Sequence, residues 1–406
     1  MHRAASGRKR ISRANRIRVQ QPGGEPLTRV AHIDHTVEPG GAEFALLRLV
    51  APPCPWQARV FVPKGDGVGI YAQLPSEQVI AVGVRQPPGA SGRATPLGRM
   101  ALIARIVAQG VALRVRRSFR GAEVVHANTS RAALIGWIAT AGSRRRLIVH
   151  LRDEVSADSI GKFGFRGIKF VLGRADGVIA NSAFTLSTAA SFLPEHSPRA
   201  VIASSIGLDR HREPIQVRPQ VLTIGMLARL SDWKGQGLLI EAFAKAFRGT
   251  GIVLELAGSP AFGNEQFLVE LQALAHQLGV GTQVRFLGHV EDIWTLLTTW
   301  DIGVQASTRP EPLGQNVLQY LAVCLPTIAA DIGGPTEWIV DGHNGLLFSS
   351  GDSDSLSDAL KRLVADAELR TSIHGHLERQ RPVPLDGQIQ ERYSEFFYGV
   401  AASASS

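Results

Sequence analysis

The chain has 406 residues, enough for two or three domains of ordinary size with buried cores. An apolar share of 44% fits a soluble globular protein, no run of ~18 uncharged apolar residues offers a membrane span, and two distant cysteines, Cys54 and Cys324, argue against a disulfide framework. The formal charge of +9 is concentrated: seven cations from Arg3 to Arg18 precede the first acid, Glu25, which leaves +2 for the rest and argues against a nucleic-acid binder.

In chain order, residues 1–26 read as a basic, disordered tail ending in Gln-Pro-Gly-Gly-Glu-Pro. Such a tail suits attachment to anionic lipid or nucleic acid, or it is a solvated leader. Met1-His-Arg-Ala-Ala-Ser lacks an apolar stretch, so no secretory leader and a reducing, cytoplasmic setting are expected.

From Arg29 onward, short apolar runs alternate with longer helical patterns. Strands are predicted at Arg29–Ile33, Arg59–Val62, Val79–Val84, Glu123–His126, Arg146–His150, Gly177–Ala180 and Ala200–Ala203. Helices are predicted at 41–50, 96–117, 130–141, 158–173 and 182–193. The charged, Pro-containing stretch 210–219 reads as a linker between a unit at 27–209 and one at 220–380.

The second half repeats the rhythm. Strands are predicted at Val221–Ile224, Val253–Ala257, Val284–Leu287, Ile302–Gln305, Thr327–Ala329 and Leu346–Phe348, and helices at 234–248, 264–278, 291–299, 314–324 and 353–366. Residues 381–406 are expected to return to the first unit as a helix. Strands alternating with helices predict an α/β protein: two doubly wound, Rossmann-like domains facing a cleft, with ligands outside the carboxyl ends of the strands.

The motif richest in chemistry is Arg309-Pro-Glu-Pro-Leu-Gly-Gln-Asn-Val-Leu-Gln319. It sets Glu311 before a glycine that can open a helix. Gln319 follows eight residues later, ~12 Å along the helix on nearly the same face. That separation suits two ends of a long ligand and is too large for an acid/base pair on one bond. Upstream, Gly225-Met-Leu-Ala-Arg229-Leu-Ser-Asp-Trp-Lys234-Gly places two cations on a strand-to-helix turn, the chemistry of a diphosphate site. Nearer the start, Glu38-Pro-Gly40-Gly41-Ala-Glu43 follows the first strand.

These segments resemble the signature of retaining glycosyltransferases of the GT-B fold, family 4. Its pattern is Glu, seven residues, Glu; here the second position is Gln319. Arg229 and Lys234 match the family's G-R-L-x-x-x-K-G segment, and Gly40–Gly41 match its G-G-A-E loop. Gly333-Gly-Pro-Thr-Glu-Trp-Ile-Val-Asp-Gly-His-Asn-Gly345 matches a further loop whose glycines read as structural. The resemblance spans about residues 29–370 and is strongest over 224–345.

The resemblance implies transfer of a hexose, with retention, from a UDP- or GDP-linked sugar to a saccharide or lipid-linked acceptor in polysaccharide or glycoconjugate synthesis. It implies that Arg229 and Lys234 hold the diphosphate, Glu311 the sugar hydroxyls and Gln319 the ribose, with further donor contacts at Gly225, Leu313, Gly314, Gln315 and Asn316. Gly40, Gly41, His126 and His150 would face the acceptor, His150 taking part in catalysis. Gln319 has the shape of Glu without its charge. No metal cluster or cofactor is expected. The rivals are a silent nucleotide-sugar binder and a sugar-nucleotide epimerase on the same fold.

The stretch 96–117 combines an apolar pattern with Arg99, Arg105, Arg114, Arg116 and Arg117. It reads either as a core-packed helix with solvated arginines or as a peripheral contact with the inner face of an anionic membrane.

Overall fold

The computed structural model of the protein describes residues 28–87, 95–260 and 264–403. The predicted basic tail lies outside the described residues. The first unit is a seven-stranded sheet: β1 (Arg29–Ile33), β2 (Gln57–Pro63), β3 (Val79–Val82), β4 (Val124–Ala127), β5 (Arg146–Leu151), β6 (Gly177–Ala180) and β7 (Arg199–Val201). All its ladders are parallel, in the order β3-β2-β1-β4-β5-β6-β7. Helices α1 (Gly41–Val50), α2 (Pro96–Val115), α3 (Arg117–Arg120), α4 (Ser130–Thr140), α5 (Ala157–Leu172) and α6 (Ala183–Ala189) make the crossovers.

The second unit repeats the plan with β8 (Thr223–Leu227), α7 (Gln236–Phe247), β9 (Val253–Ala257), α8 (Glu265–Gln277), β10 (Val284–Gly288), α9 (Ile293–Leu297), β11 (Ile302–Gln305), α10 (Gln315–Ala322), β12 (Thr327–Ala330), β13 (Leu346–Phe348), α11 (Ser353–Ala365) and α12 (Ala367–Gln380). Its parallel sheet runs β10-β9-β8-β11-β12-β13. The strand order reverses at β1/β4 in the first unit and at β8/β11 in the second. Ligands in such sheets bind where the order reverses, beyond the strand carboxyl ends. In both units that position carries the residues described below.

Buried parallel strands read as nearly continuous apolar runs, so most elements fall close to the predicted spans. The exceptions have local causes. β3 stops at Val82 because Gly83 turns at φ 77° and the Val84 N–H goes to the Gln109 side chain at 2.9 Å instead of a neighbouring strand. The helix predicted over 96–117 breaks at Arg116, whose ψ is 123°. α12 has no counterpart among the predicted helices. Stretch 210–219 packs on the second unit, the Ile215 N–H donating to the Val323 carbonyl at 2.9 Å.

The last helix, α13 (Asp386–Ala402), crosses back and packs on the first unit, with Ile389, Tyr393, Phe397 and Val400 buried against α1 and the sheet. The two crossing segments are tied together. The Asp386 carboxylate accepts from the Ile206 and Gly207 N–H groups at 3.1 and 3.0 Å, and the Asp386 N–H donates to the Leu208 carbonyl at 2.8 Å.

Candidate active site

In the second unit, the turn after β8 carries Arg229 and Lys234. Gly235 takes φ 80°, and a Cβ there would collide with the Ala306 carbonyl oxygen. Glycine therefore lets this turn seat on the segment after β11, where the Thr308 N–H donates to the Trp233 carbonyl at 2.8 Å. The buried Gln236 holds the turn from inside, its amide donating to the Arg229 carbonyl at 3.0 Å.

The consequence is a direct pair: Lys234 Nζ lies 2.7 and 2.6 Å from the two Glu311 carboxylate oxygens. Ser307 Oγ donates to Glu311 Oε2 at 2.9 Å. From the other side, the Gly334 N–H donates to the Glu311 carbonyl at 2.7 Å, and side chains at Gly333 or Gly334 would strike this backbone. The Gly333–Gly334 pair thus clamps the loop that presents Glu311.

Gly314 caps α10 at φ 78° and is the tight turn between Glu311 and the helix. Gln319 lies on α10 and is 7% exposed; among the described residues its amide has no hydrogen-bond partner. Asn316 accepts from the Val317 N–H at 3.0 Å. Gln315 reaches across to the first unit, donating to the Gly41 carbonyl at 3.2 Å. Leu313 turns its side chain into the core of the second unit, so any ligand contact there falls to its backbone. Gly225 is corrected outright: it lies within β8, where a side chain would overlap the buried Trp300 ring, and it serves packing instead of the cleft.

In the first unit, His126 and His150 are also corrected. Both are fully buried beneath α13. Trp56 donates to His32 at 2.9 Å; His32 and His126 are 3.0 Å apart through their Nδ1 atoms, His126 and His150 3.1 Å apart, and Tyr393 Oη lies 3.3 Å from His150. Burial holds the His32 imidazole down to about 3, and those of His126 and His150 well below their usual value. Side chains alternate along a strand, and these three face the helix layer.

Two residues further on, beyond the same three strands, the same alternation brings up Asp34, Asn128 and Arg152. Asn128 Nδ2 donates to Asp34 Oδ2 at 2.7 Å, and Arg152 Nε donates to Asn128 Oδ1 at 2.8 Å. Tyr71 Oη donates to Asp34 Oδ2 at 2.6 Å, and the His35 N–H to Oδ1 at 2.7 Å. Burial alone would raise the Asp34 carboxyl; His35, Tyr71 and Asn128 together bring it below its ordinary value. Glu43, folded back over Gly40 at the start of α1, is pushed up to about 8 by burial and then by Asp34. Ligand atoms of Asp34, His35 and Glu43 lie within 4.8 Å of one another. This spacing admits a cation, but three donors already occupy the Asp34 oxygens.

Asp153 is open to the cleft yet ringed by protein, and that burial raises its carboxyl. Arg152, His35 and Arg229 oppose the rise, and Glu311 adds to it. Charges from both units thus meet at this residue. The cleft is bridged again where the Glu337 carboxylate accepts from the Ala183 and Phe184 N–H groups at 2.9 and 2.7 Å, and where Thr185 Oγ1 donates to the Pro312 carbonyl at 3.2 Å. Sequence reading missed Asp34, Arg152, Asp153, Ser307 and Gln236. The signal available was the two-residue strand period past each histidine.

Two facing parallel-sheet domains with this site between them are the GT-B fold. Residues 209–375, less than half of the chain, match the family model for glycosyl transferases group 1. Among curated relatives, the chain is 36% identical over 160 residues to the lipopolysaccharide core biosynthesis glycosyltransferase LpsE of Rhizobium meliloti, covering 39% of this chain and 44% of that protein. It is 35% identical over 167 residues to the putative glycosyltransferase EpsD of Bacillus subtilis, covering 41% and 42%. The chain thus spans less than half the length of these curated relatives. Over the whole fold, Anabaena HepE in complex with UDP and glucose superposes with a TM-score of 0.73 at 25% identity, covering 91% of this chain and 98% of that one. Sucrose-phosphate synthase from Thermosynechococcus elongatus shares the fold at a TM-score of 0.73 and 18% identity, covering 93% and 100%.

Proposed function

We propose that the protein transfers a hexose, with retention, from a nucleotide diphosphate sugar to a saccharide or lipid-linked acceptor in polysaccharide or glycoconjugate synthesis. The observation that carries this reading is the Lys234–Glu311 pair at the β8/β11 reversal, with Arg229 on the same turn. A diphosphate arriving at Lys234 and Arg229 meets two cations that stabilise charge on the leaving oxygen without a metal. Displacing Lys234 from Glu311 frees the carboxylate to accept from sugar hydroxyls. Gln319 offers an amide to the ribose. On the acceptor side, the exposed Asp153, with Arg152 and Glu43 buried behind it, takes the place of the histidines in this reading. Solved HepE complexes hold UDP and glucose, or UDP-glucose, which supports a UDP-linked donor. A cytoplasmic enzyme with a lipid-linked acceptor would work at a membrane surface.

Thermal melts with UDP, GDP, ADP, TDP and their hexose conjugates test the reading. A ligand at 100 times its dissociation constant adds ~2.7 kcal/mol. One nucleotide should stabilise the wild type and fail to stabilise Arg229→Ala. Absence of any shift would remove donor binding from the cleft. Product analysis without acceptor separates transfer from epimerisation, since only an epimerase releases a changed sugar nucleotide.

A further inference from the structure

Helix α2 turns an apolar stripe to solvent. Leu97, Met100, Ile103, Val107, Val111 and Val115 recur at three- and four-residue steps along 20 residues, and all are exposed, Leu97 by 76% and Met100 and Val115 by 66% each. At ~1.5 Å per residue the stripe runs ~30 Å along one side of the helix. Its outward aim is fixed by the opposite face. Gly110 lets α2 close on α4, where a Cβ would strike Ile138. Gln109 is 1% exposed and pins the helix to the sheet, donating to the Val82 carbonyl at 2.9 Å and accepting from the Val84 N–H at 2.9 Å. Leu113 and Ile106 fill the core on that side. The stripe is therefore not a core face left open by a rotated helix.

The charge around the stripe has one sign. From Gln78 to Ala122 the sequence holds eight arginines and no acid, and Glu123, the next acid, is paired with Arg29 at 2.9 Å. Arg99 and Arg105 flank the stripe on opposite sides, and Arg116, Arg117 and Arg120 continue the basic surface past its end; all five are exposed. A second copy of this face would meet it with like charge. A nucleic acid would satisfy the arginines and leave the six apolar side chains in water.

We propose that this face of α2 docks the N-terminal unit on an anionic lipid bilayer, the apolar stripe entering the headgroup boundary and the arginines meeting lipid phosphates. The inference does not depend on the reaction assigned above, and it names the surface by which a lipid-linked acceptor would be approached.

The test is co-sedimentation of the full-length protein with vesicles of phosphatidylcholine alone and of phosphatidylcholine with phosphatidylglycerol. The wild type should bind the mixed vesicles and not the neutral ones, with binding weakened by added salt. Met100→Glu with Val107→Glu changes only exposed positions, so the melting temperature should hold while partitioning to mixed vesicles falls by about tenfold or more. Leu97→Ala with Val111→Ala, a milder pair, should give an intermediate loss. Wild-type partitioning by the glutamate variant would overturn the inference, since the basic tail would then be the anchor. So would a wild type that ignores anionic vesicles, or one that forms dimers which the same substitutions split.

Discussion

Lys234 Nζ contacts both oxygens of Glu311, at 2.7 and 2.6 Å, although 77 residues separate them in sequence. Two glycines make the contact possible: Gly235 lets one loop press on Ala306, and Gly333 lets another pass behind the Glu311 backbone. The pair is half-buried, and Ser307 accounts for one further contact. Without ligand, the cation expected to meet diphosphate and the carboxylate expected to meet sugar hydroxyls neutralise each other. Donor binding would then exchange one ion pair for two ligand contacts, which keeps the loops ordered in both states.

Lys234→Ala is expected to lower turnover by about 10²-fold, the usual scale for losing one pre-placed donor to developing charge. The double variant Arg229→Ala, Lys234→Ala should fall further. The stability cost of Lys234→Ala should stay near ~1–3 kcal/mol, because Ser307 remains with the carboxylate. Steady-state transfer beside a chemical melt checks both. Near-wild-type turnover in the double variant would take these cations out of the reaction.

Gln319→Glu separates donor affinity from stability. A charged acceptor for the ribose should tighten nucleotide binding by ~1–2 kcal/mol, about tenfold. The position is 7% exposed, so the new carboxylate should also lower the melting temperature of the ligand-free protein. Calorimetric titration with the stabilising nucleotide reads the first effect and a melt the second. Unchanged affinity would place the ribose elsewhere.

The strands were readable because parallel, doubly covered strands carry the densest apolar runs, as in Ile302–Gln305 and Thr327–Ala330. The C-terminal loops were readable because glycines and charges sit together in short segments. In the first unit the sequence pointed to two histidines that the structure buries, one strand period short of the polar cluster at the strand ends. His126 and His150 are conspicuous by residue type, whereas Asn128 and Arg152, two positions on, acquire meaning only beside Asp34 from a third strand. α12 carries Glu368, Arg370, His374 and Arg379 and shows little apolar periodicity, and Arg370 is buried through bonds to the Leu363 and Pro219 carbonyls that no local pattern displays.

Stability should peak near pH ~6.5. The unfolded chain protonates its histidines near 6.5, but buried His32 does so only at about 3, and His126 and His150 well below their usual value. The unfolded state therefore binds more protons below 6.5, and stability is lost as pH falls. Glu43 acts in the other sense. Folded, it keeps its proton to about 8, against 4.5 for the free group, so stability falls as pH rises between those values. Asp153 and Asp386, both raised by burial, have the same sign as Glu43. Three rings outweigh the carboxyls on the acid side, and Glu43 dominates from there to about 8. A tenfold difference in proton affinity between folded and unfolded chain is worth ~1.4 kcal/mol, so Glu43→Gln should recover a few kcal/mol near pH 8 and little at pH 4.5, where the free group is only beginning to ionise. Denaturant melts at the two pH values decide it; equal effects at both would show that Glu43 ionises in the folded protein as it does in water.

Glu337 links the units. Its carboxylate accepts from the first two N–H groups of α6, at 2.9 and 2.7 Å, beside the helix's own cap, in which Ser182 Oγ accepts from the Thr185 N–H at 2.9 Å. An anionic cap at a helix N-terminus is worth ~1–2 kcal/mol, and here that energy favours the closed relation of the two sheets. Glu337→Ala should speed amide exchange at Ala183 and Phe184 and raise KM more than it lowers kcat, because substrates must then order the cleft themselves. Glu337→Gln, which keeps an acceptor without the charge, should fall between. Unchanged exchange at both amides in the alanine variant would mean that Glu337 does not hold α6 in solution, and the coupling between the sheets would then rest on contacts such as Gln315–Gly41 and on the crossing segments tied at Asp386.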